Sequence, residues 1–247
     1  MELLKSHRTI RNYKSTEISD RLLNDILECG IRSSNTGNMQ LYSIIVTRNP
    51  DKKARLLPLH FNQLMVVQAP VLLTVCFDLN RFMKWCEQSN TKTDFMNLLW
   101  LITGTIDSSV LAQNMCVAAE HAGLGICYLG TTLYNAPEIS MVLNLPAGVI
   151  PVTTLTMGYP DVVPDLTDRL PVESIVHFEE YRDYPAEQVT EYYAVKENLE
   201  SSRQFVKENQ KENLAQVYTE VRYTKADNLF FSAKLLKMLT GQGFVFE

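Results

Sequence analysis

The residues best suited to chemistry lie in the run Ser6-His7-Arg8-Thr9-Ile10-Arg11, where two arginines stand three positions apart. A guanidinium is planar, permanently charged and offers a fork of donors that matches phosphate and other oxyanions. On a helical turn, positions i and i+3 share a face, so Arg8 and Arg11 would reach one ligand together. Taken alone, the same pair reads equally as a solvated surface turn. Two further stretches stand out: Ser33-Ser34-Asn35-Thr36-Gly37-Asn38-Met39-Gln40, a polar loop containing glycine, and Gly123-Leu124-Gly125-Ile126-Cys127-Tyr128-Leu129-Gly130. The glycines of the latter suit a helix C-cap leading into a strand.

Other chemistries find little support. The five cysteines form no C-x-x-C pair and mostly sit inside apolar runs, which suits reduced core thiols. The four histidines (His7, His60, His121, His177) are isolated, with no metal-ligand spacing. No G-x-G-x-x-G follows a strand to hold a dinucleotide. The formal net charge of −5 argues against a nucleic-acid binder, so any anion site must be local. Met1-Glu2-Leu3-Leu4-Lys5 runs straight into charged sequence, and the most apolar stretch, from Leu98, is broken by Thr103-Gly104-Thr105 and Asp107. The expectation is a cytoplasmic protein with neither signal peptide nor membrane span.

The elements that must position these residues follow from periodicity. Ser19 can cap a helix to about residue 31, with Leu22, Leu23, Ile26 and Leu27 at helical spacing. Strands are expected at 41–47, 71–77, 125–130 and 149–157, and short helices at 51–57 and 135–143, the latter with Asn135 as cap and Pro137 in its first turn. Residues 94–121 read as a helix that is apolar nearly all round, which places it at the centre of the core, at a subunit interface, or both. Gly104 inside it costs about 1 kcal/mol against alanine, and marks either a close approach or a tolerated glycine. Helices and strands interleave to about residue 160, an α+β or α/β pattern. Beyond it come a turn-rich connector and a polar, mostly helical stretch from 185 to 231 with few large apolar side chains. The chain therefore reads as a single domain over 1–247, a core of about 1–160 with a C-terminal extension over about 161–247.

The order of these motifs resembles the nitroreductase family, in particular its branch of NADPH-dependent FMN flavin reductases and oxygen-insensitive nitroreductases. The resemblance rests on His7-Arg8-Thr9-Ile10-Arg11, the 33–40 loop, the 123–130 segment, and Met157-Gly158-Tyr159-Pro160 followed by Asp168-Arg169-Leu170-Pro171. It implies an α+β fold with a mostly antiparallel central sheet flanked by helices, assembled as an intertwined homodimer with a C-terminal helical extension and two FMN sites at the interface. It also implies the site: His7, Arg8, Thr9 and Arg11 on the FMN phosphate and pyrimidine side; Asn35, with Gly37 and Gln40 close by; Gln63; Tyr128, Leu129, Gly130 and Thr131; and a basic pair falling on Thr167 and Arg169. Thr9 stands where serine is usual and keeps the hydroxyl. Thr167 stands where the branch carries lysine, which removes a positive charge near the flavin and bears on its affinity or potential.

The physical logic agrees. A dianionic phosphate calls for arginine and backbone donors, reduced flavin carries negative charge that a guanidinium stabilises, and Gly37 and Gly130 would let backbone approach closely. Hydride transfer needs positioning rather than a catalytic triad, so no catalytic side chain and no metal ligand is assigned. The expected activity is hydride transfer from NADPH or NADH to a nitroaromatic, a quinone or free flavin. A specialised organic substrate, or a non-catalytic flavin-binding protein of the same fold, is the alternative. Arg203, Lys207 and Lys211 recur every four residues as a basic helical stripe, and the related branch makes Arg203 the counterpart of an NADPH 2′-phosphate ligand.

Overall fold

In the computed structural model, which describes residues 1–246, helices pack around one sheet. The chain opens with α1 (Glu2–Lys5), α2 (Asp20–Ile31), β1 (Tyr42–Thr47), α3 (Pro50–Leu56), α4 (Met65–Gln68), β2 (Val71–Asp78) and α5 (Asn80–Gln88). It continues through α6 (Leu98–His121), β3 (Gly125–Leu129), α7 (Ala136–Leu143) and β4 (Val149–Gly158). The sheet order is β1-β2-β4-β3 and every neighbouring pair is antiparallel. The four strands follow the apolar runs of the sequence. The two central ones, β2 and β4, read as near-continuous apolar segments because they are covered on both faces.

Capping decides where the flanking helices start. Ser19 Oγ accepts from Leu22 N at 3.3 Å at the head of α2, and Asn97 Oδ1 accepts from Trp100 N at 3.0 Å at the head of α6. α6 therefore begins at Leu98, later than the expected residue 94, because Asn97 is extended and caps it. α7 differs from expectation in its cap. Asn135 makes no side-chain cap bond; its amide donates to Leu59 O and its carbonyl accepts from Lys234 Nζ, each at 2.7 Å. At the end of α6, Gly123 takes φ +77°. The Leu124 N–H reaches back to Ala119 O at 2.9 Å, so the glycine cap turns the chain directly into β3.

One face of α6 (Leu111, Ala112, Met115, Cys116, Ala119) lies in the main core with Leu73 and Val75 of β2 and Ile26 of α2. Where α6 crosses β2, a Cβ at Gly104 would run into the Phe77 ring, so that glycine marks a close approach, made by a side chain rather than a backbone. The opposite face of α6 is apolar and uncovered: Leu99 is 68% exposed and Ile106 57%, with Ile102 and Val110 beside them.

The chain divides into two compact units, residues 1–165 with 231–247, and residues 166–230. The second holds α8 (Ala186–Asn198), α9 (Glu200–Glu208), the short α10 (Leu214–Gln216) and a π-type turn, Val217–Arg222. α11 (Lys225–Gly241) contributes residues to each unit. In the first unit Leu239 and Phe244 join a core cluster with Leu41, Phe77 and Ile150. Among the described residues no helix is long and apolar enough to cross a membrane.

Candidate functional site

The arginine run is not a helical turn. α1 ends at Lys5, Thr9 bridges Ile126 in parallel, and the Ile10 N–H donates to Ile126 O at 2.8 Å. The segment is an extended strip on the free edge of β3. Extended backbone alternates its side chains, so residues three apart do not share a face and the helical argument for Arg8 and Arg11 fails. Tertiary packing positions them instead. Ile10 is buried, and the buried Tyr13 hydroxyl donates to Ile10 O at 2.7 Å while lying 2.6 Å from Thr156 Oγ1.

On this strip Arg8 donates from Nη1 to Ser6 O at 2.8 Å, and its Nε is buried without a partner. Arg11 is exposed and makes no hydrogen bond or ion pair among the described residues. Its charge reaches the neighbouring Cys127, whose thiol burial pushes up and Arg11 pulls down. His7 Nδ1 lies 2.5 Å from Glu120 Oε1, near the end of α6.

The 128–131 segment continues from the same edge. Tyr128 is exposed and donates from its hydroxyl to Gln113 Oε1 at 3.3 Å, whereas Leu129 is buried. At Gly130 a Cβ would meet nothing within 4 Å, so packing within this chain does not demand glycine there; the space beside it is open. Thr131 Oγ1 is 2.8 Å from His60 Nδ1, and Gln63 Nε2 donates to His60 O at 3.0 Å. His60 thus joins Gln63 to Thr131 across 71 residues of sequence. It is fully buried, and burial lowers its pKa to about 4.

A second set sits at the β1 side of the sheet. Asn35 Oδ1 accepts from Gln40 N at 3.1 Å, Gly37 has φ +58°, and Gln40 has φ +54°. The buried Asp107 of α6 accepts from Thr36 N at 3.0 Å and from Thr36 Oγ1 at 3.1 Å, tying the loop to the helix. Arg81 donates to the carbonyls of Gln40 and Tyr42. No hydrogen bond among the described residues joins this loop to the arginine strip, and β1 and β3 are opposite edges of the sheet.

The remaining residues belong to the second unit. Arg169 Nη1 donates to Thr167 Oγ1 at 2.7 Å and to Asp168 O at 2.8 Å, and Asp168 pairs with Lys196 at 2.8 Å. Arg203 is exposed on α9 and donates to Asn198 Oδ1 at 2.7 Å. The basic stripe is shorter than expected: α9 stops at Glu208, so Lys211 lies beyond it and pairs with Glu220 at 2.8 Å.

Sequence reasoning assigns no role to Glu120, Asp107 or His60. Asp107 carries a signal, a lone carboxylate in an apolar helix; such a group must find donors when buried. Glu120 and His60 carry none, because their partners are distant in the chain.

The residues at the β3 edge fit a phosphorylated, planar ligand: an unpartnered buried guanidinium nitrogen, an unpaired second arginine, and open space at a glycine. Comparison with known proteins points the same way. A profile of the Nitroreductase family matches residues 4–159. The oxygen-insensitive NADPH nitroreductase of Salmonella typhimurium is 32% identical over 200 residues, covering 78% of this chain and 82% of that protein. A crystal structure of a Bacteroides fragilis protein assigned as an oxidoreductase superposes with a TM-score of 0.97 at 51% identity, covering 99% of this chain and 100% of the other. The Vibrio harveyi NADPH:FMN oxidoreductase complexed with NAD+ superposes with a TM-score of 0.75 at 26% identity, covering 88% and 94%. With its antiparallel sheet, its arginine strip and this extent of similarity, the chain belongs to the nitroreductase family.

Proposed function

We propose that this protein is an FMN-dependent oxidoreductase that takes hydride from NADPH or NADH and passes electrons to a nitroaromatic, a quinone or free flavin. The observation that carries the reading is the arginine strip. In a chain of net charge −5, Arg11 has no acidic partner and Arg8 keeps an unpaired buried donor, an arrangement that favours an incoming phosphate. FMN, when bound, supplies the hydride-accepting chemistry. Arg8 and Arg11 would hold its phosphate and pyrimidine side with His7 and Thr9, and Tyr128, Leu129, Gly130, Thr131 and Gln63 would line the adjoining stretch. Thr167 and Arg169 are proposed as further cofactor contacts, and Arg203 as a contact of the nucleotide.

The working form is proposed to be a homodimer. Leu99, Ile102, Ile106 and Val110 make one exposed apolar stripe on α6, a surface of the kind that permanent interfaces cover. A second copy also accounts for the separation of the two residue sets: Asn35, Gly37 and Gln40 would serve the partner's arginine strip. The test is anaerobic addition of NADPH to the purified protein. Rapid bleaching of bound flavin, with FMN identified by mass spectrometry, supports the enzyme. Persistent colour favours a non-catalytic flavin carrier, and FAD or no flavin overturns the reading.

A further inference from the structure

We infer that His60 is a positioning residue that sets the polarity of Thr131, making its hydroxyl a donor toward an oxygen atom of the bound cofactor. The inference rests on the FMN reading above and concerns the same site.

His60 is fully buried, with Nδ1 against Thr131 Oγ1 at 2.8 Å and Nε2 without a partner. A neutral imidazole carries one proton, and its two placements have different consequences. With the proton on Nε2, a buried N–H has no acceptor, and the Thr131 hydroxyl spends its hydrogen on Nδ1. With the proton on Nδ1, the ring donates to Thr131 Oγ1 and leaves only a bare lone pair at Nε2. Buried N–H groups without acceptors are the rarer defect, so the second arrangement is favoured. The low pKa of about 4 keeps the ring neutral at physiological pH.

In the Nδ1–H form the Thr131 hydroxyl receives a hydrogen bond and keeps its own hydrogen. No other acceptor engages it among the described residues. Thr131 is half-buried and adjoins Gly130, where space is open, so the hydroxyl can serve a ligand there. The ligand atom must accept, which a phosphate oxygen, a ribityl oxygen and a ring carbonyl all do. The His60 carbonyl holds the Gln63 amide at 3.0 Å, so one residue orders both neighbours.

Two measurements test this. In protein labelled with 15N-histidine, the signal that disappears in His60→Asn should show a protonated Nδ1 and a bare Nε2 at neutral pH. A protonated Nε2, or a doubly protonated ring, overturns the inference, with or without flavin bound. In FMN titration of the apoprotein, Thr131→Val should raise Kd by about tenfold, as loss of one hydrogen bond implies. Thr131→Ser should stay close to the parent, and His60→Asn should too, since its amide can replace the Nδ1–H donor. Equal weakening of riboflavin binding by Thr131→Val identifies a ring or ribityl acceptor; weakening of FMN alone identifies the phosphate; either supports the role. If the parent binds FMN and Thr131→Val binds it equally well, the inference fails while the FMN reading stands. If the parent binds no FMN, the FMN reading itself fails.

Discussion

Asp107 holds Thr36 by two donors at once, the backbone amide at 3.0 Å and the hydroxyl at 3.1 Å, and so fastens the 33–40 loop to the middle of α6. A buried carboxylate in an apolar helix is costly unless paired, and here the loop supplies the donors. Asp107→Ala should destabilise the protein by about 1.5–3 kcal/mol in denaturant unfolding, the range for a hydrogen-bonded charge. Hydrogen exchange should rise at Thr36. Unchanged exchange there would show that the loop is held by its own turns.

Arg11→Ala should weaken FMN binding on the order of tenfold or more, as expected for one charge-assisted contact. Because Arg11 has no partner within the chain, the melting temperature of the apoprotein should not change. Arg8→Ala should weaken binding comparably and also lower apoprotein stability, since Arg8 braces Ser6 O. Unchanged flavin affinity in both variants would make the strip structural.

The exposed stripe on α6 predicts that Ile106→Glu yields monomers. Sedimentation should show the shift, with far-UV circular dichroism reporting an intact fold, and bound FMN should be lost. A dimeric Ile106→Glu protein that keeps its flavin would move the interface elsewhere.

His60 predicts an acid limb of stability. Its folded pKa is about 4 against a usual 6.5, so the unfolded chain binds more protons between those values. Stability is therefore fully present above pH 6.5 and falls as pH drops toward 4, by on the order of 3 kcal/mol in total. In His60→Asn that part of the slope should vanish. Parallel pH profiles for parent and variant would contradict the buried neutral ring.

Arg203 is exposed and held only by Asn198, which leaves its guanidinium donors for a phosphate. NADPH should be preferred over NADH, and Arg203→Ala should raise KM for NADPH alone with kcat nearly unchanged, because such a contact is equal in ground and transition states. Equal use of both nucleotides by the parent would remove this role.

Local sequence was enough to mark the elements and the chemical character of the site. Apolar runs with period 2 or near-continuous hydrophobicity marked β1, β2, β3 and β4; Ser19 marked the start of α2; Gly123 marked the turn out of α6. Each of these is decided by neighbours in the chain. The arginine run was legible as an anion site, although its extended geometry was not, because a six-residue segment takes its conformation from what it packs on, here the edge of β3. Where distant residues meet was settled by packing alone. Asp107 meets Thr36, Glu120 meets His7 and His60 meets Thr131 through hydrogen bonds spanning 71, 113 and 71 residues, which no local pattern encodes. The same holds for α6: its all-round apolar sequence left core and interface equally open. Packing against β2 and α2 used one face and left Leu99, Ile102, Ile106 and Val110 for a partner.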